Sequence, residues 1–169
     1  YQSAQESTIS VKQIGSLNIS NAQQGPARNS MLTVTQNGVS NNSIASQIGN
    51  NNGLTVSQLG DGNKSTATQT GNGSMMTVKQ SGNNNTSLTN QINGDDNFIN
   101  LLQSGDGNLS EINQDGSLNS ATLKQTGDFN KSFLDQIGTS NTATVNQVTN
   151  TNMSTVTQLG TGNVAMVTQ

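Results

Sequence analysis

Glutamine recurs along this chain at a nearly constant step. It stands at Gln2, Gln13, Gln24, Gln36, Gln47, Gln58, Gln69, Gln80, Gln91, Gln103, Gln114, Gln125, Gln136, Gln147, Gln158 and Gln169. Thirteen of the fifteen intervals are 11 residues and two are 12; only Gln5 and Gln23 fall outside the series. Gly follows two places after the Gln in eleven units, and Asn follows five places after it in twelve. Composition alone argues for disorder. Asn, Gln, Ser and Thr make up 87 of 169 residues and hydrophobic residues only 28%, too little for a conventional globular core. A disordered polar chain, however, has no reason to keep such a register from end to end. The repeat therefore decides.

Within each unit the seven residues from Asn to the next Gln alternate with period 2. In Asn119-Ser120-Ala121-Thr122-Leu123-Lys124-Gln125, the first, third, fifth and seventh share one face. That is strand periodicity with the small, apolar and amide face turned inward. The four residues between, such as Leu59-Gly60-Asp61-Gly62, are turn-formers able to take positive φ. Seven strand residues and four arc residues make the unit.

Alternate strands differ, so the full period is 22. In one set the residue four before Gln is always Ser: Ser20, Ser43, Ser65, Ser87, Ser110, Ser132 and Ser154. In the other it is Ile9, Leu32, Leu54, Met76, Ile99, Ala121, Ala143 or Ala165. Two strand types in alternation imply two parallel sheets, each gaining one strand per 22 residues. The expected architecture is an all-β, two-sheet parallel β-solenoid, cross-β in its spacing, with strand–arc–strand–arc turns. It forms one domain over residues 1–169, about seven and a half turns.

Folding each strand onto the next pairs Ile9 with Ala22, Leu32 with Ala45, Leu54 with Ala67, Met76 with Thr89, Ile99 with Ile112, Ala121 with Leu134 and Ala143 with Val156. Large faces small in most turns, as interior packing density requires, and the large partner changes sheets after Ile99–Ile112. Stacked turns place each Gln about 4.8 Å from its counterpart one turn away. Inward amides can then donate to one neighbour and accept from the other, the chemistry of amyloid cores. The Gln series from Gln13 onward is expected to form one such ladder per sheet. Asn18, Asn41, Asn52, Asn63, Asn85, Asn97, Asn108, Asn119, Asn130, Asn141, Asn152 and Asn163 are expected to form another, beside the Ser column. The two 12-residue intervals read as one extra arc residue each, at Gly25–Asn29 and Ile92–Asp96. The only proline, Pro26, falls in the first, where it costs no ladder bond.

The spacing Gln-x-Gly-x-x-Asn-x-Ala-x-x-x-Gln resembles the curlin repeat of bacterial curli fibre subunits. Unbroken matches start at Gln114, Gln136 and Gln158, and most other units match with Ser in place of Ala. Departures are Pro26 and Thr149 at the Gly position, Ser7 and Ser74 at the Asn position, and an insertion around Asp95. The resemblance implies a secreted functional amyloid of the biofilm matrix, at the bacterial cell surface. As partners it implies copies of itself, a nucleator subunit and an outer-membrane secretion channel.

Solenoids that stay monomeric generally cap their terminal turns. Here the repeat runs into Gln169, and the strand from Asn163 to Gln169 has neither side-chain charge nor proline. A second copy could add its Ser7, Ile9, Val11 and Gln13 onto Asn163, Ala165, Val167 and Gln169. A contact of that kind, joining two different surfaces, propagates as an open filament. The stub Tyr1-Gln2, with any residues removed upstream, is expected to fill the rung left vacant between molecules in the other sheet. The missing Met and signal peptide suggest a processed or trimmed chain.

Other chemistry is largely excluded. With no His and no Cys, there is no disulfide, zinc finger or His-based triad. Six basic residues against nine acidic give a net charge of −3 and argue against a nucleic-acid surface. No apolar run is long enough for a membrane span. No cofactor or catalytic site is expected. Asp61, Asp106 and Asp128 hold equivalent arc positions, either for solubility and turn propensity or as gatekeepers that slow assembly by repulsion. Phe98 and Phe133 point outward, as isolated surface hydrophobes or as lateral glue between filaments. The alternative function is a monomeric solenoid adhesin or an ice-binding module. Outward Thr-x-Thr pairs suggest the latter, but Lys79, Leu102, Lys124, Glu111 and Phe133 interrupt the array.

Overall fold

The computed structural model describes residues 6–169; Tyr1 and Gln2, and with them the expected stub, lie outside the described residues. Fifteen strands follow one another, with no helix among the described residues. They are β1 (Thr8–Ser16), β2 (Ile19–Gln24), β3 (Met31–Val39), β4 (Asn42–Ile48), β5 (Gly53–Leu59), β6 (Lys64–Thr70), β7 (Met75–Ser81) and β8 (Thr86–Ile92). Then come β9 (Phe98–Ser104), β10 (Leu109–Asp115), β11 (Ser120–Thr126), β12 (Lys131–Thr139), β13 (Thr142–Gln147), β14 (Met153–Thr161) and β15 (Val164–Thr168). Odd-numbered strands form one sheet in the order β1 to β15, here sheet A. Even-numbered strands form sheet B, from β2 to β14. Every neighbouring pair is parallel. The register matches like with like, as in Gln36↔Gln58 in sheet A and Ser43↔Ser65 in sheet B. The chain is a two-sheet parallel β-solenoid, as the alternation of strand types requires.

Inner and outer residues alternate as period 2 demands. In β3, Leu32, Val34 and Gln36 have no exposed surface. Thr33 and Thr35 between them are half-buried. The apolar inner residues form one continuous cluster from Leu32 to Val156, against which Ala22, Ala165 and Val167 pack at the ends. The expected cross-sheet pairing is visible at Met76 and Thr89, where the Thr89 hydroxyl donates to the Met76 thioether at 3.2 Å. A second bond sets the phase of the two sheets. The Nε2 of Gln47, near the end of β4, donates to the carbonyl of Met31 at the start of β3. The chain thus folds back on itself, bringing Ala45 against Leu32 and Ser43 against Val34.

Two details differ from the sequence reading. Strands begin one residue later than the Asn-to-Gln frame: β5 is Gly53–Leu59 rather than Asn52–Gln58. The reason lies in the Asn itself. The backbone N–H of Asn63, for example, is taken by the Asn41 side chain at 3.0 Å rather than by a ladder carbonyl, so the Asn belongs to the bend. Four strands, β1, β3, β12 and β14, also run on past the Gln through the following Gly. An arc stacked on an arc of the same length, Gly upon Gly, continues the parallel ladder. Both extra residues are absorbed outside strands, between Gln24 and Met31 and between Ile92 and Phe98. There Asn29, Asn93 and Asp96 take positive φ.

Candidate functional site

Columns of hydrogen bonds run along the solenoid from turn to turn. The Gln ladders are unbroken. In sheet A, Gln13 donates from Nε2 to Gln36 Oε1 at 2.7 Å, and the chain passes through Gln58, Gln80, Gln103 and Gln125 to Gln147. It ends at Gln169, which accepts from Gln147 at 3.1 Å. In sheet B the same chain runs from Gln24 through Gln47, Gln69, Gln91, Gln114 and Gln136 to Gln158. Each interior amide spends its second N–H on a backbone carbonyl of the facing strand, as Gln58 does on Asn42 at 3.0 Å. This satisfies amides that would be costly in an apolar interior. All the Gln–Gln bonds point the same way, from the earlier to the later residue.

The Asn residues do two jobs. Their Oδ1 accepts the backbone N–H of the next Asn, as in Asn41 N–H to Asn18 and Asn85 N–H to Asn63. Their Nδ2 reaches a Gly carbonyl one turn on, as in Asn41 to Gly60 at 2.7 Å and Asn52 to Gly71 at 2.7 Å. Asn97, Asn108, Asn119, Asn130, Asn141, Asn152 and Asn163 continue the pattern toward the far end. The Gly column is required by the same close approach. Gly38 has φ 131°, and a Cβ there would overlap the Gly60 carbonyl oxygen. Ser30 belongs to this column and the forward count from Gln24 misses it. Its hydroxyl donates to the Gly49 carbonyl at 2.9 Å and accepts the Asn52 N–H at 3.1 Å. Counting six places back from Gln36 would have found it. Ser74 accepts the Asn97 N–H in the same way, at 3.1 Å.

A further column lies in the arcs. Asp61 Oδ1 accepts the N–H of Val39 at 2.8 Å, and the Asp61 N–H donates to Asn83 Oδ1. Asn83 donates in turn to Asp106 at 2.7 Å, Asp106 to Asp128 at 2.8 Å, and Asp128 to Asn150 at 2.8 Å. The three aspartates are thus backbone acceptors that hold successive arcs in register. The interchange of Asp and Asn at this position was the available signal, since both carry Oδ1. The opposite arcs repeat the device, with Arg28 N–H on Asn50 and Asn50 N–H on Asn72.

The Ser column is buried as expected, but most of it is not bonded. Ser154 donates to Ser132 at 2.9 Å. The hydroxyls of Ser20, Ser43, Ser65, Ser87 and Ser110 have no partner among the described residues. Their position opposite the second-from-Gln aliphatics, as in Ser43 against Val34, calls for a small side chain and explains the size of the residue, not its hydroxyl.

At the two ends the columns lie open. Ile9 and Val11 of β1 are 45% and 46% exposed, whereas Leu32 and Val34 one turn in are closed off completely. At the other end Ala165 and Val167 of β15 are half-buried. Ser7 and Asn163 immediately precede these two strands, Gln13 lies within β1 and Gln169 follows β15. No group of metal-binding type occurs among the described residues.

A stack of ladder-forming parallel turns defines a repeat protein of the amyloid-like β-solenoid class. The model of one family, the curlin associated repeat, matches five times, at residues 27–60, 49–82, 94–127, 119–148 and 130–160. Together these matches cover well over half of the chain, which belongs to the curlin family. Proteins of this family are structural fibre subunits, not enzymes. No curated protein matches the chain.

Proposed function

We propose that the chain adds end to end to copies of itself, forming an extracellular, amyloid-like fibre that serves biofilm matrix and surface adhesion. The observation that carries this reading is the polarity of the Gln ladders. Gln169 has a donor free of any Gln neighbour and Gln13 an equivalent free acceptor, because every internal Gln–Gln bond runs from the earlier to the later residue. Gln169 Nε2 of one copy can therefore donate to Gln13 Oε1 of the next. In that register Asn163, Ala165 and Val167 continue onto Ser7, Ile9 and Val11, covering the surface now exposed on β1.

Sheet B has seven described strands to the eight of sheet A. In the same reading Tyr1 and Gln2, with any residues ahead of them, take the rung between β14 of one copy and β2 of the next. A fibre map placing Tyr1 away from the junction refutes that assignment. Family membership further supports export through an outer-membrane channel and nucleation by a second subunit at the cell surface.

The test is assembly of the purified chain. Wild type should sediment as filaments with reflections near 4.8 and 10 Å, set by strand and sheet spacing. Val11→Lys, which puts a charge into the open column, should leave a folded chain that fails to elongate. A wild type that stays monomeric under seeding removes the proposal and leaves the monomeric adhesin reading.

A further inference from the structure

The outer faces of the two sheets carry different charge. All three carboxylates borne by strands, Glu111, Asp115 and Asp135, lie in sheet B, and sheet A has none. Sheet A carries Lys12, Lys79 and Lys124, while sheet B sets Lys64 and Lys131 against its three carboxylates, so strand-borne charge is +3 on sheet A and −1 on sheet B. The other described acids sit in arcs or ahead of β1. The face of sheet B is also dented. A shallow groove of about 420 Å³ runs along the solenoid axis over β8 to β14, lined chiefly by Asn90, Glu111, Asn113, Phe133, Asp135 and Thr157. Its register follows the ladders, with Glu111 beside Phe133 and Asn113 beside Asp135. The Asn113 amide donates to Asp135 Oδ1 at 3.0 Å and steadies that carboxylate.

Sheet A presents the matching shape. Lys79, Leu102 and Lys124 stand one above another on β7, β9 and β11, a ridge parallel to the same axis. Both lysines are exposed and Leu102 is half-buried. Two turns separate the ammonium groups, about 9.6 Å at the strand spacing. Glu111 and Asp135 are one turn and two residues apart, roughly 8 Å on the diagonal. Flexible lysine stems span that difference. Phe133 between the acids offers its ring to a cation and its edge to Leu102.

We propose that the Lys79–Leu102–Lys124 ridge on sheet A of one filament docks into the Glu111–Phe133–Asp135 groove on sheet B of a neighbouring filament. The proposal rests on the fibre reading above, and its partner is a second copy of this chain. Charge complementarity names that partner, and so does periodicity. Two filaments of the same subunit share one axial repeat, so every ridge meets a groove once the first pair is in place. Exposed ion pairs are individually weak and screened by salt. Repetition along a filament makes the sum effective. The contact joins two different faces, so filaments can go on adding sideways.

The test uses pre-grown filaments of wild type, of Lys79→Gln/Lys124→Gln and of Glu111→Gln/Asp135→Asn, imaged by cryo-electron microscopy. Wild type should bundle at about 10 mM salt and separate at about 1 M, where screening is short-ranged. Each double variant should elongate normally, yet its bundled fraction at low salt should fall roughly tenfold. Mixing the two variants should restore side-by-side pairs but not larger bundles, because each then offers one competent face. Bundling that survives both double variants, or fails to return on mixing, overturns the proposal while leaving the fibre intact. Absence of filaments in wild type overturns both.

Discussion

Gln80 is the most direct place to test whether side-chain ladders, rather than the apolar core, hold the turns together. Its side chain is buried and makes three bonds. It accepts from Gln58 at 2.8 Å and donates to Gln103 at 2.9 Å and to the Lys64 carbonyl at 2.8 Å. Gln80→Met keeps length and volume nearly constant, so little cavity arises and the loss is polar. It orphans one donor of Gln58 and one acceptor each on Gln103 and Lys64. At about 1–3 kcal/mol for each buried group left unsatisfied, the cost is roughly 3–6 kcal/mol after partial relaxation. Met's own greater hydrophobicity returns about 1 kcal/mol of that.

Because a repeat array transmits stability only between neighbours, the damage should also divide the unfolding transition near β7. The assay is urea unfolding with hydrogen exchange, in a Val11→Lys background to prevent elongation. Gln23→Met is the control, since Gln23 lies outside the ladder and is exposed. The expected result is a loss of several kcal/mol for Gln80→Met, with faster exchange centred on β5 to β9, and almost no change for Gln23→Met. If both variants lose less than about 1 kcal/mol, the ladders are bystanders and the apolar columns alone hold the stack.

Gly38→Ala should destabilise by several times the ordinary glycine-to-alanine difference of about 1 kcal/mol, because the new methyl meets the Gly60 carbonyl; thermal unfolding reads this. Ser65→Ala should stabilise by about 1 kcal/mol in the same assay, since it removes a buried hydroxyl without a partner among the described residues. Asp106→Asn with Asp128→Asn keeps both Oδ1 acceptors, so stability should hold while the assembly lag shortens if repulsion acts as a brake. An unchanged lag leaves the aspartates a purely structural role. Asp106→Ala should instead lose the Asn83 N–H bond, so hydrogen exchange at Asn83 and in the neighbouring arcs should become faster.

Much of the fold can be read from the sequence because the features that specify it are periodic. The 11-residue Gln step marks the strands, and the Ser column separates two sheets. The Met76–Thr89 contact follows from folding one strand onto the next. What escaped was local and relational. The place of Ser30 was hidden by the extra residue after Gln24, which shifts any forward count by one. The arc aspartates looked like solvated charge because their partners, the N–H groups of Val39, Asn83 and Asp106, lie 22 or 23 residues away. Nothing within one arc reveals a bond made only between arcs.

Sequence by itself determined the period, the number of strand types and which side of each strand faces inward, since all three depend on residue order along one chain. Tertiary structure decided where each strand begins, which backbone groups the Asn and Asp oxygens accept, and which way the Gln ladders point. It also decided which side-chain charges meet on an outer face. Those are properties of stacked turns. A hydrogen bond between residues 22 apart has a length and a direction only once the turns lie about 4.8 Å from one another.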